Sequence, residues 1–187
     1  ISEWKDLSGN GNHGVQDTSV NKPSYDETGF NGKPSVKFDG SSDYMDINTT
    51  LVTQPSFSFF AVVDGSTDSK QALLSKHRSD GVNEVLTGWY SGWEVLVGGD
   101  SGATAVADSK FTIDNMSIVQ YNFRKSGSST FITVKISGFT RVLNYEIGST
   151  FTTWGTGKPW TIGQDWDSRG CCGRTSDYLE GVISEIM

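Results

Sequence analysis

Short stretches with an apolar residue at about every second position recur along the chain. The clearest are residues 57–63, 93–97, 116–123, 131–136 and 179–186. Successive side chains of a β-strand point to opposite faces, so each stretch predicts a strand. Residues 57–63 are apolar almost throughout, and we expect them to be buried on both faces. Residues 69–76 are short for a helix, and we predict a strand there as well.

Pairs of residues that form tight turns separate these stretches. Glycine adopts positive φ without strain, and Asp and Ser side chains accept hydrogen bonds from nearby amides. The pairs are Asp39-Gly40, Asp64-Gly65, Asp80-Gly81, Gly98-Gly99, Ser126-Gly127 and Ser137-Gly138. Short strands at this spacing predict an all-β fold, a sandwich or a barrel. The 187 residues fit one domain, and no internal repeat or linker divides residues 1–187.

The composition narrows the set of partners. A formal net charge of -7 and a sequence pI of about 4.7 argue against binding to duplex nucleic acid. No apolar run approaches the roughly 18 residues of a membrane-spanning helix, so membrane insertion is not expected. The chain begins in mid-pattern at residues 1–4 and shows no signal peptide. We expect a domain excised from a longer extracellular, cell-surface or virion protein.

Residues 6–14 form a run dense in Gly and Asn. Such a run excludes a helix or a regular strand and indicates a loop of defined geometry. Asp6, Asn10 and Asn12 place several oxygen atoms within a few residues, which is how a calcium-binding loop begins. The sequence therefore predicts a structural calcium ion as a cofactor.

Calcium takes ~6–8 oxygen ligands, so other segments must complete the site. The candidates are Asp39, Asp43, Asp177 and Glu180, with Asp39 and Glu180 preferred, because they lie in loops that we expect to converge with the opening loop. A second interpretation stays open. Asp6 then only accepts hydrogen bonds from amides two and three residues along the chain, and Asp39-Gly40 is only a hairpin turn.

Aromatic residues flanked by Gly or polar residues form a second candidate site. Sugar rings stack their apolar C–H faces on aromatic rings, while polar neighbours bind the hydroxyls. The predicted ligand-binding residues are Trp89, Tyr90, Asp165, Trp166, Asp167, Arg169 and Arg174. The alternative is that most Trp side chains fill the core, which we predict for Trp4, Trp93 and Trp160.

The loop that contains Arg169 and Arg174 stands apart in an acidic protein. Between the two arginines lie Cys171 and Cys172, bracketed by glycines. A vicinal disulfide there would stiffen a binding loop, although its geometry is strained; the alternative is two reduced or buried thiols. The arginines are suited to a carboxylate or sulfate on an anionic glycan.

Four groups of residues together resemble motifs of laminin-G-like, concanavalin A-like jelly-roll domains. They are residues 4–14, residues 32–40 with 43–47, residues 56–59 with 73–76, and residues 161–163 with 178–186. They occur in the family's order and span nearly the whole chain.

The resemblance implies two antiparallel sheets packed face to face, one convex and one concave. It implies a sugar site on the concave face or in the rim loops, and a structural calcium ion on or near the opposite side. It also implies that the opening loop faces residues 177–180. The family's last strand usually continues beyond the position of Met187, so we expect a missing C-terminal piece.

No catalytic constellation is recognisable in the sequence. Retaining glycosidases of this fold resemble one another in a strand with the pattern Glu-x-Asp-x-x-Glu, which aligns carboxylates on one face. No Glu of this chain has an Asp two positions later. His13 and His77 lack a recognisable Ser, Cys or metal companion. We therefore predict that the domain is not an enzyme.

Three hypotheses follow. The first is a non-catalytic, carbohydrate-binding, lectin-like module that calcium stabilises, with a polysaccharide or glycan as partner. The second is a structural or adhesive module of a cell surface or virion, such as a tail fibre or capsid decoration, that makes protein contacts as a homo-oligomer or within a larger parent protein. The third is a glycan-cleaving enzyme with an unrecognised site.

Overall fold

The computed structural model describes eleven segments of the chain, and strands dominate them. These segments are residues 1–47, 56–65, 71–77, 83–89, 93–97, 106–108, 117–127, 129–136, 143–147, 159–166 and 175–186. Within them lies one 3₁₀ turn, Ser19–Asn21. The strands are β1 (Glu3–Trp4), β2 (Gly14–Val15), β3 (Ser24–Phe30), β4 (Lys33–Asp39), β5 (Met45–Ile47), β6 (Phe57–Gly65), β7 (Gln71–His77), β8 (Asn83–Trp89), β9 (Trp93–Val97), β10 (Val106–Asp108), β11 (Ser117–Ser126), β12 (Ser129–Ile136), β13 (Leu143–Ile147), β14 (Trp160–Ile162), β15 (Asp165–Trp166), β16 (Thr175–Ser176) and β17 (Glu180–Ile186).

Two large antiparallel sheets form a sandwich. The eight-stranded sheet has the order β1-β2-β5-β14-β7-β8-β9-β10, and the seven-stranded sheet has the order β13-β12-β11-β6-β17-β4-β3. β15 and β16 form a separate two-stranded ribbon. The predicted all-β sandwich is therefore confirmed, and the described residues contain no helix long and apolar enough to cross a bilayer.

The core lies between the two sheets and takes large side chains from both. Phe38, Tyr121 and Ile183 of the seven-stranded sheet and Met45 and Trp160 of the eight-stranded sheet are fully buried. Burial of one such apolar side chain stabilises the fold by about 1.5–3 kcal/mol. The prediction that Trp160 lies in the core is confirmed. Trp4 is half-buried and packs against the core, and the side chain of Trp93 lies outside the described residues.

The central strand β6 is buried on one face only, which corrects the expectation for residues 57–63. Phe59, Ala61 and Val63 are buried against the other sheet. On the opposite face Ser58 is exposed and Phe60 is half-buried, because that face points away from the core.

β7 is buried on both faces, and so is its neighbour β14. All residues from Gln71 to Lys76 are buried, including the polar Gln71, Ser75 and Lys76. β7 lies between β14 and β8 in its sheet, and β15 also contacts it. The strand predicted at residues 69–76 is confirmed for residues 71–76, and residues 69–70 lie outside the described residues. Its pattern gave no sign of double burial.

Two turns differ from the sequence prediction. Asn31 and Gly32 have positive φ angles of 49° and 70° and connect β3 to β4, as in a type I′ hairpin; the sequence analysis did not select this pair. Asp64-Gly65 is not a turn but the end of β6, where Gly65 pairs with Gly181. The turn at Asp39-Gly40 is confirmed, with a φ of 74° at Gly40.

Candidate functional site

The predicted site residues fall at two ends of the sandwich. We call one the Gln71 end, where β7 begins at Gln71, β4 ends at Asp39 and β17 begins at Glu180. The other is the opening-loop end, where residues 5–13 lie beside the last three residues of β17. Glu185 lies five positions after Glu180 along β17, a distance of about 16 Å at ~3.3 Å per residue.

This division separates the predicted calcium ligands. Asp39 pairs with Glu180 in the ladder between β4 and β17, whereas Asp6 and Asn12 line a cavity at the opening-loop end. The five predicted ligands therefore do not form one coordination sphere, and the expectation that the opening loop faces residues 177–180 is wrong. Within the described residues, no three His, Cys, Asp or Glu side chains are grouped to hold a metal ion. Calcium stays a prediction.

At the opening-loop end, the Asp6 carboxylate closes its own loop. Its Oδ1 accepts a hydrogen bond from the amide of Ser8 at 2.7 Å, and its Oδ2 accepts one from the amide of Asn12 at 2.9 Å. The Ser8 side chain, followed by these amides of Asn12 and Ser8, lowers the pKa of Asp6 to about 2. The Asp6 amide donates to Nδ1 of His13 at 2.9 Å, and the Asn10 side chain donates to the Ser8 hydroxyl at 3.0 Å. The turn interpretation is supported, with Asn12 in place of the predicted Gly9 as the second amide donor.

At the Gln71 end, the Asp39 carboxylate is saturated in the same way. Its Oδ1 accepts hydrogen bonds from the amides of Ser41, Ser42 and Asp43 at 2.9, 2.8 and 3.0 Å. Its Oδ2 accepts them from the hydroxyls of Ser41 and Ser42 at 2.7 and 2.9 Å. Burial alone would raise the pKa of Asp39, but these bonds outweigh it and hold that pKa well below its usual range.

In the same loop, the pKa of Asp43 is shifted in the opposite direction. Its side chain is only 8% exposed. Burial, followed by the negative charge of Asp39, raises the pKa of Asp43 to about 6. One short loop therefore holds one carboxyl that stays ionised and one that titrates near neutral pH.

Backbone contacts join the segments of the Gln71 end tightly. The amide of Glu180 donates to Oε1 of the buried Gln71 at 3.0 Å, and the amide of Ala72 donates to the carbonyl of Asp177 at 2.7 Å. A Cβ atom added at Gly40 would lie 2.8 Å from the Cβ of Glu180, so the Asp39 loop needs glycine to approach β17 this closely.

The connection after β14 is part of the same network. The amide of Gly163 donates to the carbonyl of Leu73 at 3.1 Å, and its carbonyl accepts from the amide of Leu179 at 3.0 Å. The buried Ser75 hydroxyl donates to the carbonyl of Gln164 at 2.7 Å. These bonds fix where the chain leaves β14 and enters β15.

Two predicted aromatic positions lie on strands that contact β7. Trp89 ends β8 and pairs with Gln71. Trp166 belongs to β15, which contacts β7 and follows β14, the other neighbour of β7. The structure describes the backbone of both Trp residues but not their side chains. The other predicted positions lie wholly outside the described residues: Tyr90, Asp167, Arg169, Arg174 and the pair Cys171-Cys172.

The polar residues next to Trp166 are buried. Asp165 is 1% exposed, so its carboxyl lies inside the protein, and ligand contact by Asp165 stays a prediction. Gln164 is 0% exposed, and its Oε1 has no hydrogen-bond partner. A buried amide oxygen without a partner costs about 1–3 kcal/mol. Nothing in the sequence around Gln164 marks this residue as buried.

A polar row that the sequence analysis also missed crosses the face of the eight-stranded sheet opposite the core. Thr161 of β14 pairs with Asp46 of β5 and with Ser75 of β7. The Thr161 hydroxyl donates to Oδ1 of Asp46 at 2.9 Å. Both Thr161 and Ser75 are fully buried, so the covered part of this face holds polar side chains that a sandwich core would exclude.

No protein-family model matches the chain, and no curated protein matches it. Several solved structures are similar to it. Domain 4 of an extracellular arabinanase of glycoside hydrolase family 43 from Geobacillus stearothermophilus, solved in complex with arabinotriose, is 12% identical with a TM-score of 0.57, over 88% of this chain and 73% of that chain.

Two other solved structures share the architecture. A native heptameric SAP-like pentraxin from Limulus polyphemus is 15% identical with a TM-score of 0.57, over 81% of this chain and 73% of that one. A tailspike protein of an Escherichia coli bacteriophage is 12% identical with a TM-score of 0.54, over 92% of this chain and 24% of that one. At these identities the likeness concerns the fold, and with the sheet order above it identifies this chain as a concanavalin A-like jelly-roll sandwich.

Proposed function

We propose that the domain is a non-catalytic, lectin-like carbohydrate-binding module whose ligand binds at the Gln71 end. The observation that carries this proposal is the placement of Trp89 and Trp166 on β8 and β15, two strands that both contact β7. Aromatic side chains suit the apolar faces of sugar units.

The hydrogen bonds around Gln71 hold together the strands that carry the proposed site. A binding surface must hold its side chains on rigid elements to avoid an entropic cost on binding. The buried Gln71 joins β7 to the start of β17, and Gly163 joins β14 to β7 and to Leu179. The platform below the proposed ligand is therefore rigid.

The fold likeness supports a carbohydrate-related role at a coarse level. The arabinanase domain was solved with arabinotriose bound, and this chain is similar to that domain in fold. A structural calcium ion is a secondary part of the proposal. The carboxylate oxygens of Asp6 and Asp39 already accept hydrogen bonds from their own turns. An extracellular, cell-surface or virion location also belongs to the proposal.

The test is a glycan array on the purified domain, with calcium and with chelator, followed by titration of the best ligand. We expect Trp166→Ala and Trp89→Ala to weaken binding at least tenfold. Tyr25→Ala is the matched control, because Tyr25 is 53% exposed on β3 at the far edge of the other sheet. An unchanged affinity of both Trp variants, or an equal loss in the control, would refute the site.

The second candidate is a structural or adhesive module that makes protein contacts. The fold likeness to a heptameric pentraxin and to a phage tailspike favours it. Light scattering coupled to size exclusion decides between the two: a stable oligomer with a blank array supports the structural role, and a monomer that binds a glycan supports the lectin. Release of sugar from polysaccharides by the purified domain would instead establish the third hypothesis, an enzyme.

A further inference from the structure

A cavity of about 680 Å³ opens at the opening-loop end, far from the proposed glycan site. It lies between the first residues of the chain and the end of β17, and it reaches inward between the two sheets. Its volume lies in the range of about 300–1,000 Å³ that is usual for small-molecule sites.

The floor of the cavity is part of the hydrophobic core. Both sheets contribute to it: Phe59 from the seven-stranded sheet and Ile47, Leu74 and Ile162 from the eight-stranded sheet. Their exposed fractions are only 6%, 6%, 3% and 1%, respectively. Among the described residues, the floor therefore offers an occupant apolar side chains.

Water is a poor occupant of such a floor. Protein interiors are normally close-packed, and a buried water needs two to four polar partners. The polar side chains that line this cavity belong to its rim: Lys5, Asp6, Ser8, Asn12, Ser184 and Glu185. An apolar chain that reaches the floor gains burial that water cannot provide.

The rim has a charge preference. Asp6 stays ionised at neutral pH because its carboxylate is held by the Ser8 side chain and two amides, and Glu185 is exposed beside the cavity. Lys5 offsets one of these two negative charges. Trp4 also lines the cavity, and a cation over an indole face is attracted by its quadrupole. These features favour a cationic group at the mouth.

We propose that this cavity binds a single-chain cationic amphiphile, with its alkyl tail against Phe59, Leu74 and Ile162 and its head near Trp4, Asp6 and Glu185. The proposal is independent of the lectin function, because the two sites lie at opposite ends of the sandwich. The tail supplies affinity and the head supplies the preference for charge.

The test uses n-decyltrimethylammonium below its micellar concentration, titrated by calorimetry and by NMR of the Ile methyl groups. We expect saturable one-to-one binding with shifts at Ile47 and Ile162. At ~0.8 kcal/mol per methylene, the octyl analogue should bind about 15-fold more weakly. n-Decanoate has a tail of similar length but a negatively charged head. It should bind at least tenfold more weakly than n-decyltrimethylammonium.

Ile186→Trp tests the location, because Ile186 is half-buried and lines the cavity. We expect a loss of binding of at least tenfold, whereas Ile118→Trp, at a position 52% exposed on the seven-stranded sheet, should bind as the original domain does. If Ile186→Trp does not fold, Gly14→Val takes its place, since a Cβ at Gly14 meets Trp4 at an ordinary 3.6 Å.

Three results would overturn the proposal: no saturable binding of the cationic probe, equal binding of decanoate, or binding that both cavity variants leave unchanged. If a glycan binds with unchanged affinity in the presence of saturating probe, the lectin site is independent of the cavity. Failure of the cavity proposal therefore does not affect the test of the lectin proposal.

Discussion

The loops of Asp6 and Asp39 lie at opposite ends of the sandwich and use the same chemistry. In each, an aspartate accepts hydrogen bonds from amides a few residues along the chain. They differ in their surroundings: the Asp6 loop extends into solvent, whereas the Asp39 loop packs against β17 and holds the buried Asp43. The comparison teaches that a turn motif read in sequence predicts the local hydrogen bonds, while its stability and titration depend on what packs against it.

The largest expected difference between the ends concerns two glycines with similar φ angles. Gly163 has a φ of 83° and an added Cβ would lie 2.6 Å from the buried Phe38 ring, whereas Gly9 has a φ of 85° and nothing within 4 Å. We expect Gly163→Ala to lower the free energy of unfolding by about 3 kcal/mol and Gly9→Ala by about 1 kcal/mol, the latter from backbone strain alone. Urea denaturation measures both, and equal losses would contradict the difference in packing.

Removal of the Asp39 carboxylate should have the next largest effect. Asp39→Ala leaves three amides and two hydroxyls without their acceptor, and we expect a loss of about 1–2 kcal/mol, as for other capping residues. Asp6→Ala, in the more exposed loop, should lose less. Both losses should be the same with calcium and with chelator; a loss confined to calcium would instead identify a metal ligand.

Asp43 should give the Gln71 end a pH dependence that the other end lacks. Its pKa is raised from the ordinary 3.8 to about 6 in the folded protein, so its favourable contribution is present below about pH 4 and is lost as the pH rises through 6. A shift of about two pKa units corresponds to about 3 kcal/mol, and solvent screening of the charge reduces this. Asp43→Asn should therefore raise the free energy of unfolding by roughly 1 kcal/mol at pH 8. The gain should disappear towards pH 4, and a gain that does not change with pH would contradict the titration of Asp43.

The smallest effect is expected at Asp6, and it appears only in acid. Because its pKa is lowered from 3.8 to about 2, its contribution is present above about pH 4 and is lost as the pH falls through 2. Asp6→Asn should leave the pH dependence of stability between 5 and 8 unchanged and flatten it below 4. Denaturation curves of both proteins from pH 2 to 8 provide the check, and a change between pH 5 and 8 would contradict it.

Local patterns predicted the strands well and their surroundings less well. Residues 131–136 and 71–76 form strands as predicted, because alternation is a property of neighbouring residues. Residues 57–63 are buried on one face only, and Asp64-Gly65 continues a strand because Gly65 pairs with Gly181, more than a hundred residues away. Such pairing depends on register between distant segments, which local composition does not encode.

The hydrogen-bonding role of Asp6 could be predicted from the sequence, because it follows from its own turn. The strands of Trp89 and Trp166 both contact β7, and ligand binding by these two residues stays a prediction. Gln164 and the row formed by Thr161 and Asp46 gave no signal, because a polar residue in a strand normally predicts an exposed face.

The sequence by itself determined that this chain is all-β and that Asp6 and Asp39 lie in tight turns, since side-chain alternation and turn formation act over a few residues. Only the tertiary structure decided that Asp39 lies opposite Glu180 and that Asp6 lies at the other end of β17, at the cavity that Glu185 also lines. It also decided that β7 is buried on both faces and that a cavity opens beside the end of β17. These features arise from the packing of segments far apart in the chain, where the shape of the whole core, rather than any local preference, sets which side chains meet.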